Sequence, residues 1–167
     1  MAALDEQLVE EWLNREGFFT MRGVKVGLSE MDLLAVRARD STLECWHVEV
    51  QVSFSPMGYI GGDNNAKRRT PKETSDGINE WIEKKFLQKK IASRRTDLIP
   101  NAKWKYVFVH AVARHPEELG LIQKKGIILK PYHEVIETLK LGLKNTSSSS
   151  ASGIVDILRY MEKNPRK

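Results

Sequence analysis

Two hydrophobic segments of the sequence carry acidic side chains where buried strands ordinarily have none. Asp32 lies at the start of the run Met31–Ala38, and Glu49 lies inside the run Leu43–Val52. Residues two apart on a strand share a face, so we expect Gln51 to point the same way as Glu49. Burying a lone carboxylate is costly unless a positive charge neutralises it. Oxygen ligands from neighbouring strands suit Mg²⁺, so the pattern predicts a divalent cation site.

A cation held by Asp32 and Glu49 would suit the hydrolysis of a phosphodiester. The metal neutralises charge on the phosphate and lowers the pKa of an attacking water. Mg²⁺ keeps several waters beside one or two carboxylates, and we expect the Val50 carbonyl within its reach and Mn²⁺ to substitute. The alternative is that Asp32 caps a turn and Glu49 pairs with a nearby Lys or Arg. His47 shares the face of Glu49, where we expect a structural role.

A third acid is predicted from the first helix. Residues 4–16 place their apolar side chains on one side at about 100° per residue. Glu6 falls about 20° beyond Leu13 on this count and shares a stripe with Val9, so it flanks the buried arc and is expected to face the sheet. Glu10 is the reserve candidate, and the alternative for Glu6 is an ordinary solvated acid.

These residues, in this order, resemble the PD-(D/E)XK nuclease superfamily, which has the restriction-endonuclease-like fold. The closest likeness is to its Holliday-junction-resolvase-like branch. There a helix with E-x-x-x-x-x-x-L-x-x-x-G leads to a strand with (G/S)-E-x-D-L and then to a hydrophobic strand with V-E-V-K. This sequence offers Glu6, Leu13 and Gly17, then Ser29-Glu30-Met31-Asp32-Leu33, then Val48-Glu49-Val50-Gln51.

The resemblance implies an α/β sandwich with a mixed central β-sheet flanked by helices, and a Mg²⁺-dependent DNA endonuclease. On this reading Asp32 and Glu49 bind the metal, Gln51 positions the water, and Glu6 supports the site. Gln51 replaces the superfamily's usual lysine. Glutamine can hold a water by hydrogen bonds but carries no positive charge, so electrostatic stabilisation of the transition state is weaker.

The positive charge that Gln51 lacks could come from a lysine elsewhere in the chain, or it could be absent. Lys85 and Lys89, one turn apart on the following helix, are the candidate substitutes for the lysine. Alternatively, the fold is a catalytically weak or inactive module that binds DNA or a partner protein.

Positive charge follows the predicted site along the chain, and the net charge of +5 favours a polyanionic partner such as DNA. The segment after Glu49 is rich in glycine and basic residues, and we expect a mobile flap that contacts DNA, with Tyr59 stacking on a base or sugar. The alternative is a solvated helix face beside a disordered loop. The basic run continues to Arg95, and the residues expected to hold the phosphate backbone are Lys67, Arg68, Arg69 and Lys72 in the loop and Lys85 and Lys89 in the helix.

Hydrophobic periodicity predicts the order helix, three strands, helix, strand, helix, strand, helix. The central helix is expected from about residue 76 to 93, with a cap at residues 75–76. We expect a nuclease-like domain at 1–145, a serine-rich hinge at 146–152 and an amphipathic helix at 153–167. That helix is expected to bury Ile154, Ile157, Leu158 and Met161, and it could join a homodimer or larger assembly.

Other classes of site find no support in the sequence. Cys45 is the only cysteine, so an internal disulfide and a zinc knuckle are excluded. The sequence has no apolar run of the roughly 18 residues that cross a bilayer and no phosphate-binding P-loop, so we expect no membrane association and no small-molecule cofactor. An acidic start without a secretory pattern favours a cytoplasmic location.

Overall fold

The first three strands form an antiparallel meander because two short turns connect them. β1 (Phe19–Val26) leads into β2 (Ser29–Arg39) at Gly27, whose φ of +61° is accessible to glycine at no steric cost. β2 leads into β3 (Thr42–Gln51) at Asp40, which has a φ of +52°. Aspartate tolerates this region better than most residues. The turn predicted at residues 39–41 is therefore confirmed.

Two parallel strands extend the sheet beyond β3. A computed structural model describes residues 4–62, 67–141 and 150–165, and in these ranges the sheet has five strands in the order β1-β2-β3-β4-β5. β4 (Trp104–His110) lies parallel to β3, and β5 (Ile128–Pro131) lies parallel to β4. No helix in these ranges is long and apolar enough to span a membrane. The helices are α1 (Leu4–Arg15), α2 (Pro71–Ile82), a π-helix (Glu83–Leu87), α3 (Lys89–Leu98), α4 (Glu117–Lys124), α5 (Tyr132–Leu141) and α6 (Ser150–Lys163).

Alternation of side chains along the strands gives each face of the sheet its own apolar layer. One face packs Leu33, Val48 and Val107 against α1, α5 and α6. The opposite face packs Phe108 against α2, α4 and the π-helix, where Phe86 is fully buried. The prediction of an α/β sandwich with a mixed central sheet flanked by helices is therefore confirmed.

The helix predicted at 76–93 begins earlier than expected. The Thr70 hydroxyl accepts a hydrogen bond from the Glu73 amide at 3.2 Å, and the Glu73 carboxylate accepts one from the Thr70 amide at 2.7 Å. This reciprocal cap, together with Pro71 at the first helical position, is a strong helix-start signal. The predicted cap at residues 75–76 was wrong, because that segment lies one turn inside α2.

The C-terminal helix packs through a different face from the one predicted. Val155 is fully buried, whereas Ile157 and Met161 are 58% and 61% exposed. The buried face begins with the small side chain of Ala151, which permits close approach to α1. The predicted burial of Ile157 and Met161 was therefore wrong.

The boundary between the predicted hinge and the C-terminal helix also differs from the prediction. α6 begins at Ser150, three residues before the predicted start. Residues 150–152 of the predicted hinge are therefore helical, and residues 142–149 lie outside the described part of the chain.

Candidate functional site

β2 and β3 bring Asp32 and Glu49 to the same place on one face of the sheet. Leu33 pairs with Val48 in the antiparallel register, so Asp32 and Glu49 are the next opposed pair. Asp32 Oδ2 accepts a hydrogen bond from the Val50 amide at 2.8 Å, and Glu49 Oε1 lies 3.4 Å from the Asp32 amide. The expectation that these two acids converge is confirmed.

The π-helix supplies a lysine to this pair of acids. Lys85 Nζ lies 2.5 Å from Glu49 Oε2, and the Lys85 side chain is 32% exposed while that of Glu49 is 1% exposed. Gln88 donates its amide to the Glu83 carbonyl, five residues back, and then leaves the helix with a ψ of 136°. Lys89 therefore starts a new helix and is exposed. Of the two lysines predicted as substitutes, the structure brings Lys85 to the acids.

Burial and charge shift the pKa values of all three groups. Burial, with help from the nearby charge of Glu49, raises the pKa of Asp32 to about 6. Burial also raises the pKa of Glu49, and the Lys85 ammonium offsets part of that shift. Burial acts to lower the pKa of Lys85, but the attraction of Glu49, Asp32 and Glu6 outweighs it, so that pKa is raised. Buried Glu49 and half-buried Asp32 beside one ammonium leave the site with more acidic than basic groups.

A buried chain of hydrogen bonds fixes the orientation of Glu49. Arg95, which is 4% exposed, has Nη1 at 2.7 Å from His47 Nδ1 and donates to the Phe86 carbonyl at 2.8 Å. Because arginine can only donate, His47 must carry its proton on Nε2, which lies 2.9 Å from Glu49 Oε1. Burial and the charge of Arg95 lower the pKa of His47 to about 3, so the imidazole is neutral.

Arg95 does not belong with the surface cations of the basic run that the sequence suggests. It is buried and also donates from Nη2 to the Tyr106 hydroxyl at 3.1 Å. The sequence contains one indication of this burial. Arg95 follows the apolar Ile91 by four residues, and residues four apart share a helix face.

Replacing His47 by alanine is expected to lower the free energy of unfolding by about 3 kcal/mol, because it removes one hydrogen-bond partner from buried Glu49 and one from the buried Arg95 guanidinium. Urea unfolding of the purified variant measures this change. His133→Ala is the matched control, since His133 is exposed on α5. A loss below about 1 kcal/mol for His47→Ala would show that other groups already satisfy both charges.

The third predicted acid lies within electrostatic reach of the same site. The negative charge of Glu6 contributes to the raised pKa of Lys85. The reserve candidate, Glu10, is engaged elsewhere, because it forms an ion pair with Arg22 at 2.7 Å and accepts a hydrogen bond from the Thr20 hydroxyl. Of the two acids on α1, the structure therefore places Glu6 near the site.

The oxygen donors fit a hydrated divalent cation more closely than a fully protein-ligated one. Within the described ranges, no group of three or more His, Cys, Asp or Glu is arranged to hold a metal ion. Glu49 Oε2 is buried and, in that part of the chain, accepts no hydrogen bond of good geometry, although the Lys85 ammonium lies beside it. Asp32 and Glu49 are thus two hard-oxygen ligands, a set that Mg²⁺ completes with water.

Gln51 lies farther out than the acids. It is exposed at the end of β3 and lines a small cavity with His110 and Arg114. The predicted role of the Val50 carbonyl as a ligand stays a prediction, whereas the Val50 amide is bound by Asp32.

The loop that follows β3 has Tyr59 as an internal anchor. Tyr59 is 7% exposed, and its ring stacks on the His115 imidazole at a centroid distance of 3.7 Å. The Arg69 guanidinium lies 4.7 Å from the ring centre, and the Arg69 amide donates to the Tyr59 hydroxyl at 2.9 Å. The prediction that Tyr59 stacks on a base or sugar is therefore wrong, because these two partners occupy its ring. Arg69 is likewise committed, since its guanidinium donates to the Gly61 carbonyl at 2.8 Å.

Glu118, which the sequence analysis did not single out, fixes the same loop from α4. Its buried carboxylate accepts hydrogen bonds from the amides of Ile60 and Gly61 at 2.9 and 3.1 Å. A Cβ at Gly61 would lie 2.5 Å from the Gly77 carbonyl oxygen, so α2 packs directly on the loop backbone. The loop is anchored at residues 59–61, which does not fit a mobile flap there, and residues 63–66 of the predicted flap lie outside the described part of the chain.

The other predicted nucleic-acid-binding residues lie on the surface. They are exposed and form no ion pair with another residue of the described ranges, and they are Lys67, Arg68, Lys72 and Lys89.

Comparisons with known proteins leave the family open. No family model matches the chain, and no curated protein matches it. A crystal structure of a protein of unknown function, AF1548, is similar to it with 16% sequence identity and a TM-score of 0.48. That similarity covers 95% of this chain and 78% of the other.

Proposed function

We propose that this protein is a Mg²⁺-dependent DNA endonuclease that hydrolyses phosphodiester bonds at a site formed by Asp32, Glu49 and Lys85. The observation that carries the proposal is the meeting of a half-buried and a buried acid, Asp32 and Glu49, from neighbouring strands with a lysine ammonium. With Glu6 nearby, the carboxylates outnumber the ammonium. A divalent cation with oxygen ligands would balance that excess.

Asp32 and Glu49 would hold the ion, together with the Val50 carbonyl, and Mn²⁺ would substitute. Once bound, the ion would neutralise the phosphate and lower the pKa of the attacking water. His47 Nε2 lies 2.9 Å from Glu49 Oε1, so Oε2, which faces the Lys85 ammonium, is the oxygen that would serve as a ligand. Glu6 supports the site by holding a water or a second ion.

Gln51 lacks the positive charge of the superfamily's usual lysine, and Lys85 would supply that charge. Its ammonium would place a positive charge beside the phosphate oxygens as negative charge develops there. Gln51 would then need only to orient water by hydrogen bonds. This division of roles fits the resemblance to the PD-(D/E)XK superfamily, with the positive charge supplied from a helix instead of β3.

Incubation with supercoiled, linear and branched DNA tests the proposal. We expect cleavage that requires Mg²⁺ or Mn²⁺ and stops when EDTA is added. The rate should rise as the pH passes through about 6, because the raised pKa of Asp32 leaves this ligand protonated and neutral at lower pH. Absence of cleavage of all three DNA forms with either metal would refute the proposed activity.

A second candidate function is a nuclease-fold module that binds DNA or a partner protein without hydrolysis. It is favoured by the ion pair at 2.5 Å between Lys85 and Glu49, which neutralises that acid without a metal. Calorimetric titration with Mn²⁺ separates the two candidates. Binding that disappears in Asp32→Asn supports the enzyme, and DNA binding with no metal affinity supports the module.

A further inference from the structure

A second charged feature lies outside the acidic site, in a groove bounded by α4, the first turn of α2 and the loop segments at 57–59 and 67–69. The groove has a volume of about 1000 Å³. Its cationic lining residues come from three different segments of the chain, and they are Lys67, Arg68, Arg69, Arg114 and Lys124. Glu117 is the single acid among the described lining residues. We call this feature the basic groove.

The cations of the basic groove are of two kinds. Arg69 and Arg114 are fixed in place, since each donates to a backbone carbonyl, at 2.8 and 2.6 Å. Lys67, Arg68 and Lys124 form no hydrogen bond or ion pair with another residue of the described ranges. Their charge is therefore available to an anionic ligand and raises the local concentration of one.

The groove is also lined by aromatic and apolar groups. His115 lies on the ring of Tyr59 with an angle of 1° between the planes, and the His115 side chain remains 24% exposed. Leu121 and Gly120 line the groove as well, and a Cβ at Gly120 would meet no atom within 4 Å. A lining that combines cations with aromatic and apolar groups suits a ligand that carries both phosphates and bases.

The size of the groove argues against a lone inorganic anion. Clefts for small ligands span roughly 300 to 1,000 Å³, so this groove is at the upper end of that range. It can hold several linked phosphates and their bases, as in an unpaired nucleic-acid strand.

The basic groove and a small cavity at the end of β3 share one lining residue, Arg114. Gln51 and His110 also line that cavity. Gln51 lies two residues beyond Glu49 on the same strand. A nucleic-acid strand leaving the acidic site past Gln51 would therefore meet Arg114 and then the basic groove.

We infer that the basic groove binds a single-stranded segment of the nucleic acid, adjacent to the phosphodiester at the acidic site. The inference rests on the proposed function for the identity of the strand, but the groove's own binding does not require the metal. Phosphate contacts from Lys67, Arg68 and Lys124 would supply most of the affinity, and they would carry no sequence information.

Fluorescence anisotropy with a labelled 12-nucleotide oligothymidine, in EDTA, tests this inference. We expect the double variant Arg68→Ala/Lys124→Ala to bind the strand at least about tenfold more weakly and to reduce the salt slope by about 1.4, which is about 0.7 per lost phosphate contact. The control, Lys103→Ala/Lys163→Ala, removes the same charge from exposed sites outside the groove. It should change the affinity by less than about twofold.

Three results would overturn the inference: equal losses in the two double variants, tighter binding of a duplex of the same length, or displacement of the oligonucleotide by an equimolar free nucleoside triphosphate. Thermal unfolding of both variants confirms that the substitutions leave the fold intact. If the protein cleaves no DNA but Arg68→Ala/Lys124→Ala still binds the strand more weakly than the control, the proposed acidic site is refuted and the groove is not. If the protein cleaves DNA but the two double variants bind alike, the groove is refuted and the acidic site is not.

Discussion

Asp32→Asn is expected to lower the rate of DNA cleavage by about 10³-fold or more, and Glu49→Gln should have the same effect. Each change removes one of the two carboxylates that converge from β2 and β3. Charge stabilisation by a metal is worth several kcal/mol, and each 1.4 kcal/mol is about tenfold in rate. Nicking of supercoiled DNA under single-turnover conditions, with excess Mg²⁺, measures the loss.

The amide variants separate chemistry from folding. Asp32→Asn keeps an oxygen that can accept the Val50 amide, so the unfolding temperature should change little compared with the rate. Asp76→Asn is the matched control because Asp76 is an exposed acid on α2, and it should cleave normally. Cleavage that survived both site substitutions at the wild-type rate would place the activity elsewhere.

Lys85→Ala is expected to slow cleavage by about 10²- to 10³-fold, the usual cost of removing one preorganised group that stabilises developing charge. The loss should also move the lower limb of the pH profile to higher pH. Burial raises the pKa of Glu49, and Lys85 is the main group that offsets this rise. Lys85→Arg keeps the positive charge and should recover part of the rate.

Lys89→Ala is the matched control for that experiment. Lys89 is exposed at the start of α3, beyond the break at Gln88, so its loss should leave the rate within about twofold of wild type. Rates are compared at saturating DNA, which removes differences in binding. Equal losses for the two lysines would mean that the helices act only as a diffuse positive surface.

The convergence of Asp32 and Glu49 was predictable because it depends on short-range rules. The turn at residues 39–41 fixes the register between β2 and β3, and strand alternation then places both acids on one face. The helix start at Thr70 depends on equally short-range rules, since Thr70 and Glu73 form a capping box and Pro71 occupies the first helical position.

The position of Lys85 depends on contacts that are distant in sequence. Helical periodicity alone does not distinguish Lys85 from Lys89 as the lysine that reaches Asp32 and Glu49. Their difference comes from the π-helix, whose Phe86 carbonyl is bound by Arg95, nine residues later. Arg95 is in turn held by His47 from β3, 48 residues earlier.

The role of Tyr59 was beyond sequence reasoning for the same physical reason. Exposed aromatics in glycine-rich loops are good candidates for base stacking. Whether the ring is available depends on which side chains of the folded protein pack against it. Here the partners are Arg69 and His115, which come from the other side of the loop and from the approach to α4. The C-terminal helix α6 is a similar case, because Ala151 and Val155 are buried while the larger Ile157 and Met161 are exposed, and the hydrophobic pattern alone does not decide which of these faces packs.

The π-helix has a consequence for how insertions and deletions would act on this chain. A π-turn accommodates one residue more than an α-turn. The number of residues in this turn therefore determines which side chain faces the acids. Deleting a single residue between positions 83 and 87 would remove that extra residue and let the turn wind as an α-helix. The side chains inside the turn would then be offset by one position, and a different one would point at the carboxylates.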